Sequence, residues 1–144
     1  MGNAYNFTSE ASLLEPVAAY FKRKSFRLQA HEMRFYDYRV DLYGFSRSEA
    51  RTIAVELKMY KWRRAFEQAI VYQLCADLVY IAMPLRSAGR VDIDLLSAHG
   101  IGLLAVGETG RCRQVLGAQQ SAVVQETYTR SYISRLNGRV KWQQ

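Results

Sequence analysis

Cysteine, histidine and proline are scarce in this chain of 144 residues, which contains two of each. Cys75 and Cys112 lie neither in a CxxC spacing nor in a Cys/His spacing, so a structural zinc site is not expected. Because glycine and proline are not abundant, extensive disorder is not expected either. The chain has no apolar run of about 18 residues or more and no leader-like N-terminus, and we therefore expect a cytoplasmic protein with no membrane association.

Acidic residues are also in deficit, with 13 Asp and Glu against 20 Lys and Arg. The formal net charge is +7 and the sequence pI is about 9.6. Such an excess attracts polyanions, of which nucleic acid is the commonest. The alternative is a basic surface with no specific partner.

Hydrophobic periodicity predicts one α/β domain over residues 1–144, with an αβββαβ core over about 8–84 and an αββα extension over about 85–144. Pro16 falls inside the first predicted helix and indicates a kink or a later helix start. The predicted helices cover about residues 8–24, 62–76, 92–99 and 121–136. The predicted strands cover about residues 26–35, 38–45, 51–59, 77–84, 101–106 and 112–116.

Two carboxylates and a lysine interrupt the apolar second and third strands. Glu56 and Lys58 share one face of the third strand because side chains alternate along a strand. Asp41 lies inside the second strand. An antiparallel hairpin that places Asp41 opposite Glu56 has its centre between residues 48 and 49, inside the polar turn Ser46–Ala50.

Two carboxylates held close together in a half-buried site repel each other unless a cation lies between them. Oxygen ligands suit Mg²⁺ or Mn²⁺, and a neighbouring lysine can orient a water or offset charge on a phosphate. Asp41, Glu56 and Lys58 therefore favour metal-assisted phosphodiester hydrolysis. The alternative is a structural ion pair between Lys58 and either carboxylate.

Asp41, fourteen intervening residues and then Glu56-Leu57-Lys58 resemble the D…(D/E)xK motif of the PD-(D/E)XK nuclease superfamily. The resemblance extends over about residues 8–84, although Val40 stands where the family motif has proline. It implies a restriction-endonuclease-like fold and a Mg²⁺-dependent endonuclease acting on DNA, with Mn²⁺ as a possible substitute and no organic cofactor. Asp41, Glu56 and the Leu57 carbonyl would bind the metal, and Lys58 would position the attacking water. A duplex cutter of this size would be a homodimer, because one site cuts one strand.

Further residues match the junction-resolvase-like and RecB-like branches of that superfamily. Glu10 lies on the apolar stripe of the first helix and would help to hold metal, or else it is a first-turn glutamate favoured by the helix dipole. Gln68 would support the lysine or the phosphate, with Tyr72 as the neighbouring aromatic, or else it is an ordinary helix glutamine. Glu32 is an auxiliary candidate.

Basic residues cluster before and after these positions. Lys61, Arg63 and Arg64 open the helix that follows the third strand, where a bound phosphate would offset their conflict with the helix dipole. Lys22 and Lys24 belong to a second cluster. Both predict a DNA-contacting surface, and a solvated face is the alternative. The competing functions are a catalytically inactive nucleic-acid-binding module of the same fold and a protein-interaction domain.

Overall fold

Six strands form one mixed sheet whose spatial order follows the chain, in a computed structural model that describes residues 7–143. The first three strands form an antiparallel meander, β3, β4 and β5 run parallel, and β6 returns antiparallel to β5. The strands are β1 (Leu28–Phe35), β2 (Tyr38–Ser46), β3 (Arg51–Leu57), β4 (Leu78–Pro84), β5 (Gly102–Val106) and β6 (Cys112–Leu116).

Helices cover both faces of the sheet, and the sheet divides the core into two clusters. One face packs against the helix that connects β3 to β4 and against the C-terminal helix, and the other packs against the first helix. The helices are a 3-10 turn (Glu10–Leu13), α1 (Leu14–Arg23), α2 (Trp62–Tyr72), α3 (Leu85–Ala88), α4 (Ile93–Ala98) and α5 (Glu126–Gln143).

β4 and β5 are apolar throughout because both of their faces are covered. Every residue of β4 and β5 is buried. Joining the parallel strands β3 and β4 requires a crossover, which α2 supplies. The predicted α/β class and the predicted order of strands are confirmed, and β5 and β6 of the C-terminal extension continue the same sheet.

Several element boundaries differ from prediction, among them the end of the last helix, which reaches Gln143, and three other helix ends differ for local reasons. Pro16 lies in the first turn of α1, where its missing N–H needs no partner, so the helix starts later, at Leu14. The helix predicted over 62–76 ends at Tyr72, and the helix predicted from residue 121 begins at Glu126. The intervening segments bind each other, since Ser121 Oγ donates to the Gln73 carbonyl at 2.7 Å. The short helix α3 was not predicted.

Close packing at Gly102 generates a test of the β4–β5 contact. A Cβ at this position would lie 2.5 Å from Tyr80 Cδ1 and 2.7 Å from the Ala118 backbone nitrogen. We expect Gly102→Ala to lower the free energy of unfolding by about 1–3 kcal/mol, as overpacked cores do, measured by urea denaturation. Gly89→Ala is the control, because a Cβ there meets nothing within 4 Å. Equal stability of the two variants would contradict this packing.

Candidate active site

The β2–β3 register brings Asp41 and Glu56 together. The ladder pairs Leu42 with Val55 and Ser46 with Arg51, and continuing it by one residue places Asp41 opposite Glu56. The predicted register is therefore confirmed. Lys58 follows the last residue of β3, at the edge where β3 and β4 both end. Carboxyl ends of parallel strands are a common location for ligand sites.

Each carboxylate is held by one hydrogen bond. Asp41 is half-buried, and its Oδ2 accepts the Leu57 backbone N–H at 2.8 Å. Glu56 is 5% exposed, and its Oε1 accepts from the Tyr72 hydroxyl of α2 at 3.0 Å. Among the described residues, the second oxygen of each carboxylate has no hydrogen-bond partner. Tyr72 thus orients Glu56, and the Leu57 backbone orients Asp41.

The Tyr72 hydroxyl also lies 2.9 Å from the Arg39 carbonyl oxygen. A hydroxyl has one hydrogen, so both contacts are full hydrogen bonds only when Glu56 is protonated and donates to Tyr72. The electrostatics agree, because burial and then the nearby Asp41 raise the pKa of Glu56 to about 8. Burial also raises the pKa of Asp41 to about 6, against the opposing effect of the Leu57 N–H. The pair therefore carries less than two negative charges at neutral pH.

Lys58 does not neutralise these carboxylates by direct contact. The ion pairs that the structure shows among the described side chains, in residues 7–138, are Arg51–Glu49 and Arg130–Glu126. The structural ion pair considered as an alternative from the sequence is therefore not present. Lys58 is half-buried, and its backbone N–H donates to the Ala82 carbonyl at 3.0 Å, which anchors it beside β4.

Gln68 contributes an unsatisfied acceptor. Its Oε1 is the one buried side-chain nitrogen or oxygen atom without a hydrogen-bond partner among the described residues. Gln68 lies one helical turn before Tyr72 on α2, so it shares the face that reaches Glu56. Such an atom costs about 1–3 kcal/mol when left unpaired. It leaves an open acceptor beside Tyr72 that a water, a donor or a cation can satisfy.

Glu10 and Glu32 have exposed side chains at the periphery of the site. Glu10 contributes to the raised pKa of Asp41 and of Glu56, and Glu32 contributes to that of Asp41. Glu32 faces the Asp41 position from β1 and has a left-handed backbone, with φ of 56°. In residues 7–143, no three Asp, Glu, His or Cys side chains are grouped closely enough to hold a metal ion. Glu10 as an additional metal ligand stays a prediction.

The two predicted basic clusters lie at opposite ends of β3. Lys61, Arg63 and Arg64 are exposed at the start of α2, next to the site. The other cluster, Lys22 and Lys24, ends α1, and Lys24 lines a cavity of about 550 Å³ together with Arg51, the first residue of β3. A strand of seven residues separates the clusters by roughly 20 Å. Lys22 and Lys24 therefore do not belong to the candidate site.

Three residues beside the site were not predicted from the sequence. Tyr60, Arg86 and Arg90 line a cavity of about 410 Å³ that also includes Lys61 and Met83. Their position in the sequence was informative, because the segment that begins at Leu85 directly follows β4, which ends at the same edge of the sheet as β3. The sequence did not predict a helix there, because Leu85–Ala88 is too short to show a helical period.

Comparisons with known proteins show the fold and no more. No family model matches the chain, and no curated protein matches it. The solved structure of a protein of unknown function from Silicibacter pomeroyi, SPO1766, is similar over 91% of this chain and 85% of that chain. The TM-score is 0.69 and the sequence identity is 18%. This likeness supports the α/β architecture. No helix within residues 7–143 has the length and apolarity to cross a bilayer.

The raised pKa values predict how stability depends on pH. The folded protein holds the Glu56 proton up to about pH 8, whereas the unfolded chain loses it near pH 4.5. Stability from this source is therefore complete below about pH 4 and is lost as pH rises towards 8. In EDTA, we expect the melting temperature to fall between pH 5 and pH 8.5, and Glu56→Gln to exceed wild type at pH 8.5 by about 3 °C or more.

The control for this measurement is Glu49→Gln, which removes an exposed carboxylate from the turn between β2 and β3. Its melting temperature should follow the wild-type pH dependence. Parallel curves for wild type and Glu56→Gln would show that Glu56 ionises normally in the folded protein.

Proposed function

We propose that this protein is a divalent-metal-dependent deoxyribonuclease of the PD-(D/E)XK type with a restriction-endonuclease-like core. The observation that carries the proposal is the pairing of half-buried Asp41 with buried Glu56, which lie opposite each other beside Lys58 without an ion-pair partner among the described residues. The antiparallel meander, the α2 crossover and the parallel strand β4 are the elements that the family resemblance implies.

The donor set suits a hard divalent cation. Asp41, Glu56 and the Leu57 carbonyl would supply oxygen ligands for Mg²⁺, or for Mn²⁺ in its place, and Glu10 would complete the set. Each carboxylate has one oxygen committed to a hydrogen bond and one available. When bound, the ion would lower the pKa of a coordinated water and offset charge on the phosphate.

The protein's own side chains have separate roles in this proposal. Lys58 forms no ion pair with the described residues and would position the attacking water against the phosphate. Leu57 and Tyr72 hold the two carboxylates in place through their N–H and O–H groups. Gln68 would support Lys58 through its unpaired Oε1, or the phosphate through its amide NH2 group. By family resemblance, the products carry a 5′-phosphate and a 3′-hydroxyl.

The partner in this proposal is DNA, contacted through Lys61, Arg63 and Arg64, in a cytoplasmic protein without an organic cofactor. A homodimer is required only for cutting both strands of a duplex. The inactive nucleic-acid-binding module is the second candidate, favoured by the exposed cations at the start of α2. It predicts DNA binding without cleavage, which the second experiment below distinguishes.

Metal binding is testable through thermal stability. An ion present at ten times its Kd adds about 1.4 kcal/mol to the folded state. We expect Mg²⁺ or Mn²⁺ to raise the melting temperature more at pH 8 than at pH 6, because binding requires ionised carboxylates. Asp41→Asn should abolish this rise, and Glu49→Gln should retain it. An equal rise in both variants would place any bound metal elsewhere.

Cleavage is tested on a panel of linear duplex, single-stranded, nicked and four-way-junction DNA with Mg²⁺ or Mn²⁺, and with EDTA as the control. We expect Lys58→Ala to slow cleavage by about a hundredfold or more while DNA binding persists. Glu49→Gln should cleave like wild type. If the wild-type protein binds these DNAs but cleaves none of them, the inactive binding module is the correct function.

A further inference from the structure

A cavity opens beside Lys58 at the edge where β3 and β4 end. Its lining comes from the segment after β3, from the end of β4 and from α3, and its volume is about 410 Å³. A backbone hydrogen bond connects the cavity to the site. The Lys58 N–H donates to the carbonyl of Ala82, and the next residue, Met83, lines the cavity. Small-ligand pockets span roughly 300–1,000 Å³, so one nucleotide fits and a duplex does not.

The charge of this cavity suits phosphate. Lys61, Arg86 and Arg90 line it with exposed side chains, and its lining contains no acidic residue. None of the three forms an ion pair within residues 7–143. Cations concentrated on a concave surface attract a nucleic-acid backbone more strongly than the same charges dispersed.

An exposed aromatic ring suits an unpaired base. Tyr60 is 63% exposed at this cavity and makes no ring contact with another described aromatic residue. Trp62 lines the same cavity, with the Arg63 guanidinium 4.6 Å from its ring centroid. Bases in an intact duplex stack on one another, so only an unpaired base can stack on Tyr60.

We propose that this cavity binds an unpaired nucleotide adjacent to the cleaved phosphate, and hence that the substrate is DNA with a single-stranded segment. The inference rests on the proposed function for the nature of its ligand. Arg86, Arg90 and Lys61 contact the phosphates on one side of the cut, and Tyr60 stacks on the base. One protomer is then sufficient, because only one strand is cut.

Binding in EDTA tests this inference without catalysis. Fluorescein-labelled single-stranded DNA of about 12 nucleotides is titrated against the protein, beside the duplex of the same sequence. We expect wild type to prefer the single strand, and Tyr60→Ala to weaken that binding about tenfold through the lost stacking contact. Tyr60→Phe should stay within about twofold of wild type because it keeps the ring.

Tyr36→Ala is the matched control, because Tyr36 is 66% exposed and lies in the turn between β1 and β2. It should bind like wild type. The proposal is overturned if duplex binds at least as tightly as single strand, or if Tyr60→Ala and Tyr36→Ala bind single strand equally.

Salt dependence gives a second readout for the cations. Loss of one phosphate contact to a single strand should reduce the slope of log K against log salt by about 0.7. We expect this change in Arg90→Ala and not in Arg47→Ala, whose side chain donates to Asn137 at the opposite end of β3. Identical salt-dependence slopes in Arg90→Ala and Arg47→Ala would contradict phosphate binding in the cavity.

These results separate the two proposals. If single-stranded DNA binds in a Tyr60-dependent way and no substrate is cleaved, the proposal of nucleotide binding in the cavity stands and the proposal of nuclease activity is wrong. If intact duplex is cleaved in a Lys58-dependent way and Tyr60→Ala does not change the rate, the proposal of nuclease activity stands and the proposal of nucleotide binding in the cavity is wrong.

Discussion

The antiparallel register between β2 and β3 is the constraint on which the candidate site depends. It places Asp41 opposite Glu56 at the point where the ladder ends, so the Leu57 N–H is available to Asp41 Oδ2. Because side chains alternate along a strand, a shift of one residue would send one carboxylate to the opposite face. The two groups would then no longer share a site, and Asp41 would no longer raise the pKa of Glu56.

This register brings together charges that the fold itself leaves uncompensated. Glu56 is buried, Asp41 is half-buried, and Lys58 pairs with neither. Burial and the nearby Asp41 raise the pKa of Glu56 and so favour its protonated form, whereas a bound divalent cation would favour the ionised form. The unpaired Gln68 oxygen lies on the same side. Lys58 does not offset these charges with a salt bridge, which leaves that role to the cation of the proposed function.

The surroundings of the site differ in character on its two sides. Towards α1, Glu10 adds negative charge, which raises the pKa of Asp41 and of Glu56. Towards α3, the cavity formed by Tyr60, Lys61 and Arg90 with their neighbours is basic and aromatic. A metal on the acidic side and a phosphodiester chain on the basic side are electrostatically complementary to this gradient. The more distant cluster at Lys24 adds basic surface but is separated from the chemistry by the length of β3.

Local patterning in the sequence determined the strands, the α2 crossover and the register that pairs Asp41 with Glu56. Alternation along a strand and the polar turn at Ser46–Ala50 are short-range signals. Only the tertiary structure decided which cations lie near Lys58. The directions of the strands place Arg86 at the end of the sheet that contains Lys58 and Lys24 at the opposite end. The tertiary structure also decided that Lys58 forms no ion pair with the described residues and that the Gln68 Oε1 atom is buried without a hydrogen-bond partner among them. Those properties depend on distances between elements far apart in the chain, which spacing along the sequence does not encode.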